Sequence, residues 1–204
     1  MKIELKNIKH SPSLSEETEA FTANLYIDNT LAGYVKNDGH GGNTFYLASS
    51  DKGHALIKDA EQYCLGLPAA QYPARNGMEA FELKMDLELF IDNLLSAHLR
   101  KKDEQKIQRD MLSNIIYGDP EGTLYVVKYK FPIAQILKTP KGAEAIKASL
   151  IKSVLPYLKP GEKILNDNLP DYVLTDVGLA KEQYTPYKEQ QEEGKPVKKP
   201  RKKL

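Results

Sequence analysis

The sequence predicts an α+β fold: a small antiparallel sheet of about four strands, then amphipathic helices and a few further short strands. Apolar residues recur with a period of two before Asp51 and at three- and four-residue steps after it, which are the periods of strands and helices. A parallel sheet would require strands and helices to alternate regularly along the chain, and this sequence has no such alternation. We therefore expect one α+β domain over 1–182, with a β-rich half over 1–50 and a helical or mixed half over 51–182, followed by a tail over 183–204.

The N-terminal half is predicted to form the sheet. Over 21–27, Phe, Ala, Leu and Ile alternate with Thr, Asn and Tyr, so that one face of the strand is buried and the other faces solvent. Residues 28–30, Asp-Asn-Thr, are typical of a tight turn, after which 31–36 returns as the paired strand. Shorter strands over 2–9 and 44–48 complete the predicted sheet.

The first helix is predicted to begin at Asp51, a suitable N-cap, and to end near Gly66. Its apolar stripe consists of Leu56, Ala60, Tyr63, Cys64 and Leu67. Residues 66–77 contain two prolines and an Asn-Gly pair, which predicts a connecting loop. A short strand then passes into a second helix near Asp86.

The second predicted helix has a polar middle. Residues 100–106 are all polar, and a helical stripe that includes Ile115 and Ile116 then resumes and ends before Gly118. Two interpretations stay open: one long helix with a solvated middle, or two helices that meet at 102–103.

The last part of the predicted domain mixes strands and helices. β-Branched and aromatic residues over 123–131 predict a strand. Thr139 followed by Pro140 predicts a helix start, because threonine caps the first N–H groups and proline lacks the N–H that would be unpaired. The stretches 163–165 and 172–174 are predicted to be short and extended.

Composition excludes several classes of protein. Of the 204 residues, 41% are hydrophobic and 28% are charged, which is typical of a folded globular protein and not of a disordered or fibrous one. The apolar runs are too short to predict a membrane span, and the first ten residues lack the features of a signal peptide. The single cysteine, Cys64, excludes an internal disulfide and a multi-cysteine zinc site, and we expect a cytoplasmic protein.

Charge is unevenly distributed along the chain. The net charge is +1, yet residues 188–204 hold seven basic and three acidic residues, which leaves 22 basic against 25 acidic residues for the rest. We expect the tail to be disordered, because it offers little apolar surface, and to bind nucleic acid or an acidic protein through its charge. The residues predicted to contact nucleic acid are Lys195, Lys198, Lys199, Arg201, Lys202 and Lys203.

A glycine-rich loop between the third and fourth predicted strands is the candidate ligand-binding site. Three glycines in four residues allow backbone N–H groups to converge on an anion, and a neighbouring lysine adds positive charge. The same residues are also typical of hairpin turns, and the sequence leaves both interpretations open. The candidate residues are Lys36, Asn37, Asp38, Gly39, His40, Gly41, Gly42 and Asn43.

Asp38, His40 and His54 suggest a metal-dependent alternative. His-Asn-His nucleases place one histidine on a hairpin and another on the following helix, and this segment is superficially similar. The similarity is weak, because a whole strand intervenes and no second carboxylate close to His54 is an obvious ligand. No catalytic residue, metal-ligand set or cofactor is therefore assigned, and an enzyme is the less favoured class.

Several segments resemble a family of bacterial, phage and mobile-element proteins to which no activity is attached. The resemblance covers most of 1–175. It lies in an opening Lys-Ile-Glu-Leu-Lys strand, in Ser15-Glu16-Glu17-Thr18, which is close to the family's Ser-x-Glu-Glu-Thr segment, in an Asn-Asp-Gly-x-Gly-Gly loop and in the closing residues 164–170. Many members have Cys-Thr where Asn43 and Thr44 stand here, so thiol chemistry in the loop is unsupported. The resemblance implies a phage or mobile-element protein and carries over no site residue.

Together these features predict a non-enzymatic binding or accessory protein of phage or mobile-element type, associated with nucleic acid through its tail and an anion-binding loop. Two alternatives stay open. One is a metal-dependent hydrolase or nuclease that uses the loop of Asp38 and His40. The other is a structural or assembly component whose tail engages an acidic partner.

Overall fold

The computed structural model describes residues 1–74, 77–120 and 122–188. Its contacts divide the chain into two compact units, Met1–Lys102 and a second from Asp103 onward, whereas the sequence predicts one domain over 1–182. The α+β class is confirmed, since a four-stranded antiparallel sheet comes first and helices and short strands follow. Over the described ranges, no helix combines the length and the apolar character needed to cross a membrane.

Four antiparallel strands form the sheet of the first unit, in the order in which they follow one another along the chain. They are β1 (Ile3–His10), β2 (Phe21–Ile27), β3 (Thr30–Asn37) and β4 (Phe45–Ala48). Asp28 and Asn29 turn the chain between β2 and β3 with φ angles of 45° and 63°. Tight hairpin turns need such positive angles, and Asp and Asn tolerate them, so the predicted hairpin is confirmed.

Helix α1 (Asp51–Leu65) follows β4. Asp51 is its first residue and not its N-cap, because the side chain of Ser50 accepts the N–H of Gly53 at 3.1 Å. Serine caps a helix as well as aspartate does, so the pattern that locates the helix start leaves the cap uncertain by one residue. The helix ends at Leu65 with Gly66 as its C-cap, which agrees with the predicted end near Gly66.

The predicted loop over 66–77 contains a strand, which corrects the prediction. Strand β5 (Ala70–Tyr72) pairs antiparallel with β6 (Phe81–Leu83) in a separate two-stranded sheet. The rings of Tyr72 and Phe81 stack across the pair with their centroids 4.9 Å apart. A strand of three residues is too short to display an alternating pattern, which is why the sequence does not reveal it.

The core of the first unit lies between one face of the sheet and the apolar sides of helices α1 and α2 (Leu87–Met111). Gly53 lets α1 approach the sheet closely, because a Cβ at this position would lie 2.1 Å from the carbonyl oxygen of Ala32. Cys64 is 0% exposed in this core, and burial raises the pKa of its thiol. Side chains on the opposite face of the sheet, such as Tyr34, are exposed.

Helix α2 is continuous, which decides between the two interpretations of its polar middle. Its start is capped by Asp86, whose Oδ1 accepts the N–H of Leu89 at 2.8 Å, and residues 100–106 are exposed. The helix ends at Met111, however, and Ile115 and Ile116 lie in strand β7 (Asn114–Gly118). The helical prediction for these isoleucines is wrong, because successive residues of β7 are buried and a short apolar run does not distinguish a buried strand from a helix.

Strand β7 is the centre of a three-stranded antiparallel sheet in the second unit. Its neighbours are β8 (Leu124–Lys128), which the sequence predicts within 123–131, and β9 (Lys163–Ile164) within the predicted 163–165. This unit also contains the end of α2 and helices α3 (Ile133–Ile136), α4 (Pro140–Ser153) and α5 (Asp171–Thr175). Short 3-10 turns over the chain lie at Pro12–Leu14, Leu155–Tyr157 and Lys181–Gln183.

Two predicted boundaries of the second unit have opposite outcomes. Thr139 caps α4 as predicted, since its Oγ1 accepts the N–H of Gly142 at 3.1 Å. Residues 172–174, predicted to be extended, are helical, and that prediction is wrong. Val173 and Leu174 are both buried, and a pair of adjacent apolar residues fits a short helix as well as a strand.

Asn166, which is fully buried, joins three segments of the second unit. Its Oδ1 accepts the N–H of Ile116 at 2.7 Å, and its Nδ2 donates to the carbonyl oxygen of Asn114 at 2.9 Å. Asn168 adds a bond of 2.7 Å from its Nδ2 to the carbonyl oxygen of Met111. Buried amides of this kind are stable only when their hydrogen bonds are made, so the closing motif over 164–170 has a structural role.

Ordered structure continues beyond residue 183, where the sequence places the start of the tail. Tyr184 is 4% exposed, the N–H of Thr185 donates to the carbonyl oxygen of Ile164 at 2.9 Å, and that of Lys188 donates to the carbonyl oxygen of Asp167 at 2.7 Å. The aromatic ring of Tyr184 supplies apolar surface that the later basic residues lack. The predicted tail residues Lys195, Lys198, Lys199, Arg201, Lys202 and Lys203 lie outside the described residues.

Candidate functional site

The glycine-rich loop is built around the side chain of Asn37, which is buried at the end of β3. Its Oδ1 accepts the N–H of Gly39 at 2.8 Å and the hydroxyl of Thr18 at 2.9 Å. Its Nδ2 donates to the carbonyl oxygen of Gly42 at 3.0 Å and to Thr44 Oγ1 at 3.1 Å. The amide of Asn37 thus makes four hydrogen bonds and fixes the loop from inside.

Gly39 packs the loop against the segment that precedes β2. Its φ is 90°, and a Cβ here would lie 2.1 Å from the carbonyl oxygen of Leu14. The carbonyl oxygen of Gly39 accepts the N–H groups of Glu16 and Glu17 at 2.9 and 3.1 Å. Glycine is therefore required at this position by both backbone angle and space, which supports the structural interpretation of this residue.

The backbone N–H groups of two loop glycines are already used. Gly39 donates to Asn37 Oδ1, and Gly41, whose φ is 83°, donates to the hydroxyl of Thr18 at 3.3 Å. An anion-binding concavity needs such N–H groups to be directed at the ligand. The loop backbone at these two glycines therefore gives the predicted anion site no support.

Acidic side chains surround the outer part of the loop. His40 Nδ1 lies 3.1 Å from a carboxylate oxygen of Glu16, and Lys36 Nζ lies 3.1 Å from Asp38 Oδ2. Gly42 and Asn43, the last candidate residues, are exposed. Negative charge around the loop disfavours a bound anion by Coulomb repulsion. Among the candidate residues, the ammonium group of Lys36 is the clearest source of attraction for an anion.

Thr44 ties the end of the loop to helix α2 through two bonds that sequence reasoning misses. Its N–H donates to Glu88 Oε1 at 2.8 Å, and its hydroxyl donates to Asp92 Oδ1 at 2.7 Å. Burial raises the pKa of Asp92 and the negative charges of Glu88 and Asp86 add to that increase, while the bond from Thr44 lowers it. These acids lie more than forty residues from the loop in sequence, and no sequence pattern links them.

The residues proposed for metal-dependent chemistry are not gathered into a site. Asp38 and His40 have the partners given above, and His54 is exposed on α1. Within the described part of the chain, no group of three or more His, Cys, Asp and Glu side chains is arranged to hold a metal ion. The hydrolase alternative therefore draws no support from the geometry of the loop.

A groove of about 960 Å³ lies beside the loop on the exposed face of the N-terminal sheet, and we call it the sheet groove. Side chains that line it alternate with core residues along their strands, so one set faces the helices and the other faces solvent. Its polar members include Lys36 and Asp38 of the predicted site. Other residues that line the sheet groove are Lys9, Thr22, Asn24, Tyr34, Phe45 and Leu47.

Aromatic and cationic side chains meet in the sheet groove. Phe45 stands directly opposite Lys36 in the pairing of β3 with β4, and Leu47 stands opposite Tyr34. Tyr34 and Phe45 are 54% and 58% exposed, and Leu47 is 70% exposed. Such exposure is unusual for large apolar side chains that share one surface.

Two lysines line the same groove as these rings. Lys36 is paired with Asp38, but both side chains are more than half exposed. Lys9, paired opposite Thr22 across β1 and β2, makes no ion pair within the described residues. In the sequence, the alternation along β3 places Tyr34 and Lys36 on the same face of the sheet. Phe45 on the next strand faces outward as well, and these two features together are the sequence signal that could have revealed the groove.

Comparison of the chain with protein families, with curated proteins and with solved structures finds no match. The resemblance to a phage and mobile-element family stays a prediction from the sequence. Function is therefore inferred from the chemistry of the loop and of the sheet groove.

Proposed function

We propose that the chain is a non-enzymatic nucleic-acid-binding accessory protein of phage or mobile-element type, which binds through the sheet groove. The observation that supports this function is the combination of Lys9 and Lys36 with the exposed rings of Tyr34 and Phe45 in one groove. Lysine ammonium groups attract phosphates, and exposed aromatic rings offer flat surfaces to bases.

The ion pair of Lys36 does not prevent phosphate binding. Its partner is Asp38, two residues further along the chain, and the two side chains are 54% and 66% exposed. Exposed pairs of this kind contribute about 0–1 kcal/mol. A phosphate that approaches Lys36 can therefore replace or share this contact at little cost.

The predicted basic tail would add affinity that does not depend on nucleic-acid sequence. Its six candidate residues carry positive charge within nine positions, from Lys195 to Lys203. Each phosphate that a lysine or arginine neutralises releases counterions, which makes the affinity fall as salt rises. The tail and the sheet groove then contribute separate parts of one salt dependence.

Binding of the full-length protein to fluorescent single- and double-stranded DNA and RNA, measured over a range of salt, tests this function. We expect Lys9→Ala with Lys36→Ala to reduce the slope of log K against log salt by about 2, and removal of residues 189–204 to reduce it by about 4 to 5. Lys52→Ala with Lys58→Ala, two exposed lysines of α1, is the matched control. If the protein bound none of these nucleic acids at low salt, the proposal would be overturned.

A further inference from the structure

Tyr34 and Phe45 form a two-ring surface at the floor of the sheet groove. They lie on adjacent antiparallel strands, and Phe45 is paired with Lys36, which follows Tyr34 by two residues on the same face. The two rings thus stand on diagonal neighbours, which are residues about 7–8 Å apart in such a sheet with their Cβ atoms somewhat closer. Lys36 is adjacent to both rings.

The two rings are free to accept another aromatic group. Within the described residues, ring stacking occurs between Tyr72 and Phe81 and between Tyr117 and Tyr125, and it involves neither Tyr34 nor Phe45. Both rings are more than half exposed. A planar group that covers each ring would remove apolar surface from water.

The rest of the sheet groove supplies polar contacts of the kind that base edges need. Asn24 is paired with Tyr34, and Thr22 is paired with Lys36, so an amide and a hydroxyl stand beside the rings. Lys9 lies opposite Thr22 on β1 and places a second ammonium group at the far end of the same row. The row from Lys9 to Phe45 crosses all four strands.

We infer that the sheet groove binds single-stranded nucleic acid, with one base on Tyr34, one base on Phe45 and backbone phosphate at Lys36. This inference rests on the proposed function and narrows it. In a duplex the bases are stacked on one another, and their faces cannot reach rings on the floor of a groove. In a single strand the bases can be splayed apart and stacked on aromatic side chains of a sheet.

Charge favours this occupant over a second copy of the chain. The charged residues that line the groove, Lys9, Lys36 and Asp38, carry a net charge of +1, which complements phosphate, whereas a second copy seated on the same groove would bring a surface of the same net charge against it. Like charges that face each other across an interface are unfavourable. Self-association through the groove is therefore the competing outcome that the experiment must detect.

The test uses the full-length protein with a fluorescent twelve-nucleotide oligothymidylate and with a labelled duplex of the same length. We expect the single strand to bind at least about tenfold more tightly than the duplex. In the double variant Tyr34→Thr, Phe45→Thr, affinity for the single strand should fall by about tenfold or more, while its salt slope stays as in the wild type because the phosphate contacts remain. Threonine is used because it retains strand propensity without a ring.

Matched variants and a second measurement keep the outcomes distinct. The control is Phe131→Thr with Tyr157→Thr, which removes two other exposed rings and should leave affinity unchanged. The conservative double variant Tyr34→Phe, Phe45→Tyr should bind the single strand as tightly as the wild type, because both positions still carry rings. Thermal unfolding of each variant establishes that loss of binding is not loss of folding.

Three results would overturn the inference. In the first, duplex and single strand bind equally, the lysine variants bind both more weakly, and the ring variants bind as the wild type does. This result would leave the proposed function standing and remove only the single-strand assignment. In the second, light scattering shows a wild-type dimer that binds no oligonucleotide, and the ring variant is a monomer. This result would assign the groove to self-association. Absence of binding to any nucleic acid would remove both proposals.

Discussion

The hydroxyl of Thr44 donates a hydrogen bond of 2.7 Å to Oδ1 of Asp92, and this bond joins the end of the glycine-rich loop to helix α2. Thr44 is 3% exposed, so the bond is formed where water has little access. The loop is therefore held at both ends, by Asn37 where it begins and by Thr44 where it closes. Phe45, which lines the sheet groove, directly follows Thr44 in the chain.

The raised pKa of Asp92 predicts a pH dependence of stability. Burial is the main cause of the increase, so the folded protein binds more protons at this site than the unfolded chain, whose Asp pKa is about 3.9. Stability from this group is therefore lost as pH rises from about 4 through the raised pKa. In Asp92→Asn the loss is absent, so the melting temperature of the variant relative to the wild type should increase with pH.

Calorimetry at pH values from about 3 to about 7 measures this difference. Asp59→Asn, at an exposed position of α1, is the control for loss of one negative charge. A constant difference between Asp92→Asn and the wild type over the whole range would show that Asp92 titrates alike in the folded and unfolded states.

Gly39→Ala should destabilise the first unit much more than Gly42→Ala. Alanine at position 39 meets a positive φ and the carbonyl oxygen of Leu14, and we expect a loss of at least about 2 kcal/mol. A Cβ at position 42 has nothing within 4 Å, so Gly42→Ala should change stability by less than about 0.5 kcal/mol. Urea unfolding of both variants decides the matter, and equal midpoints would contradict the role given to Gly39.

Asn37→Ala should lower the free energy of unfolding by about 2–4 kcal/mol, because the substitution leaves buried partners of its amide without hydrogen bonds. Asn43→Ala, in the same loop but exposed, is the matched control and should cost less than about 0.5 kcal/mol. Chemical denaturation gives both values. If Asn37→Ala were as stable as Asn43→Ala, the internal bonds of the loop would not be those that hold it.

Asn166→Ala should destabilise the second unit by about 2–4 kcal/mol, since the N–H of Ile116 and the carbonyl oxygen of Asn114 lose their partner in a buried site. Asp167→Ala, at the neighbouring position, keeps the backbone carbonyl that accepts from Lys188 and should have a small effect. Hydrogen exchange at Ile116 provides a local measurement. Unchanged protection of this amide in Asn166→Ala would refute the prediction.

The elements that the sequence predicts correctly are those with local signals. The β2–β3 hairpin follows from alternation over 21–27 and from the Asp28-Asn29 turn, and the start of α4 follows from Thr139 and Pro140. The helical prediction for Ile115 and Ile116 is wrong because successive residues of β7 are buried, and the alternation that identifies a strand is therefore absent.

The candidate site was less accessible to sequence reasoning. The eight loop residues are adjacent in sequence, but their partners Thr18 and Glu16 precede β2. The next residue, Thr44, is held by Glu88 and Asp92 of helix α2. Such contacts join residues that no local pattern relates. Alternation in β3 could place Tyr34 beside Lys36, yet only the assembled sheet shows that this face is open.

Burial of Cys64 gives the protein a built-in reporter of its own opening. The chain has one cysteine, its side chain is 0% exposed, and it lies among Ile57, Leu25 and other core residues of the first unit. A thiol reagent can react with it only in molecules whose core has transiently separated, since a thiol reacts as its exposed thiolate. The rate of labelling therefore measures how often that unit opens, and it does so without any introduced label or substitution.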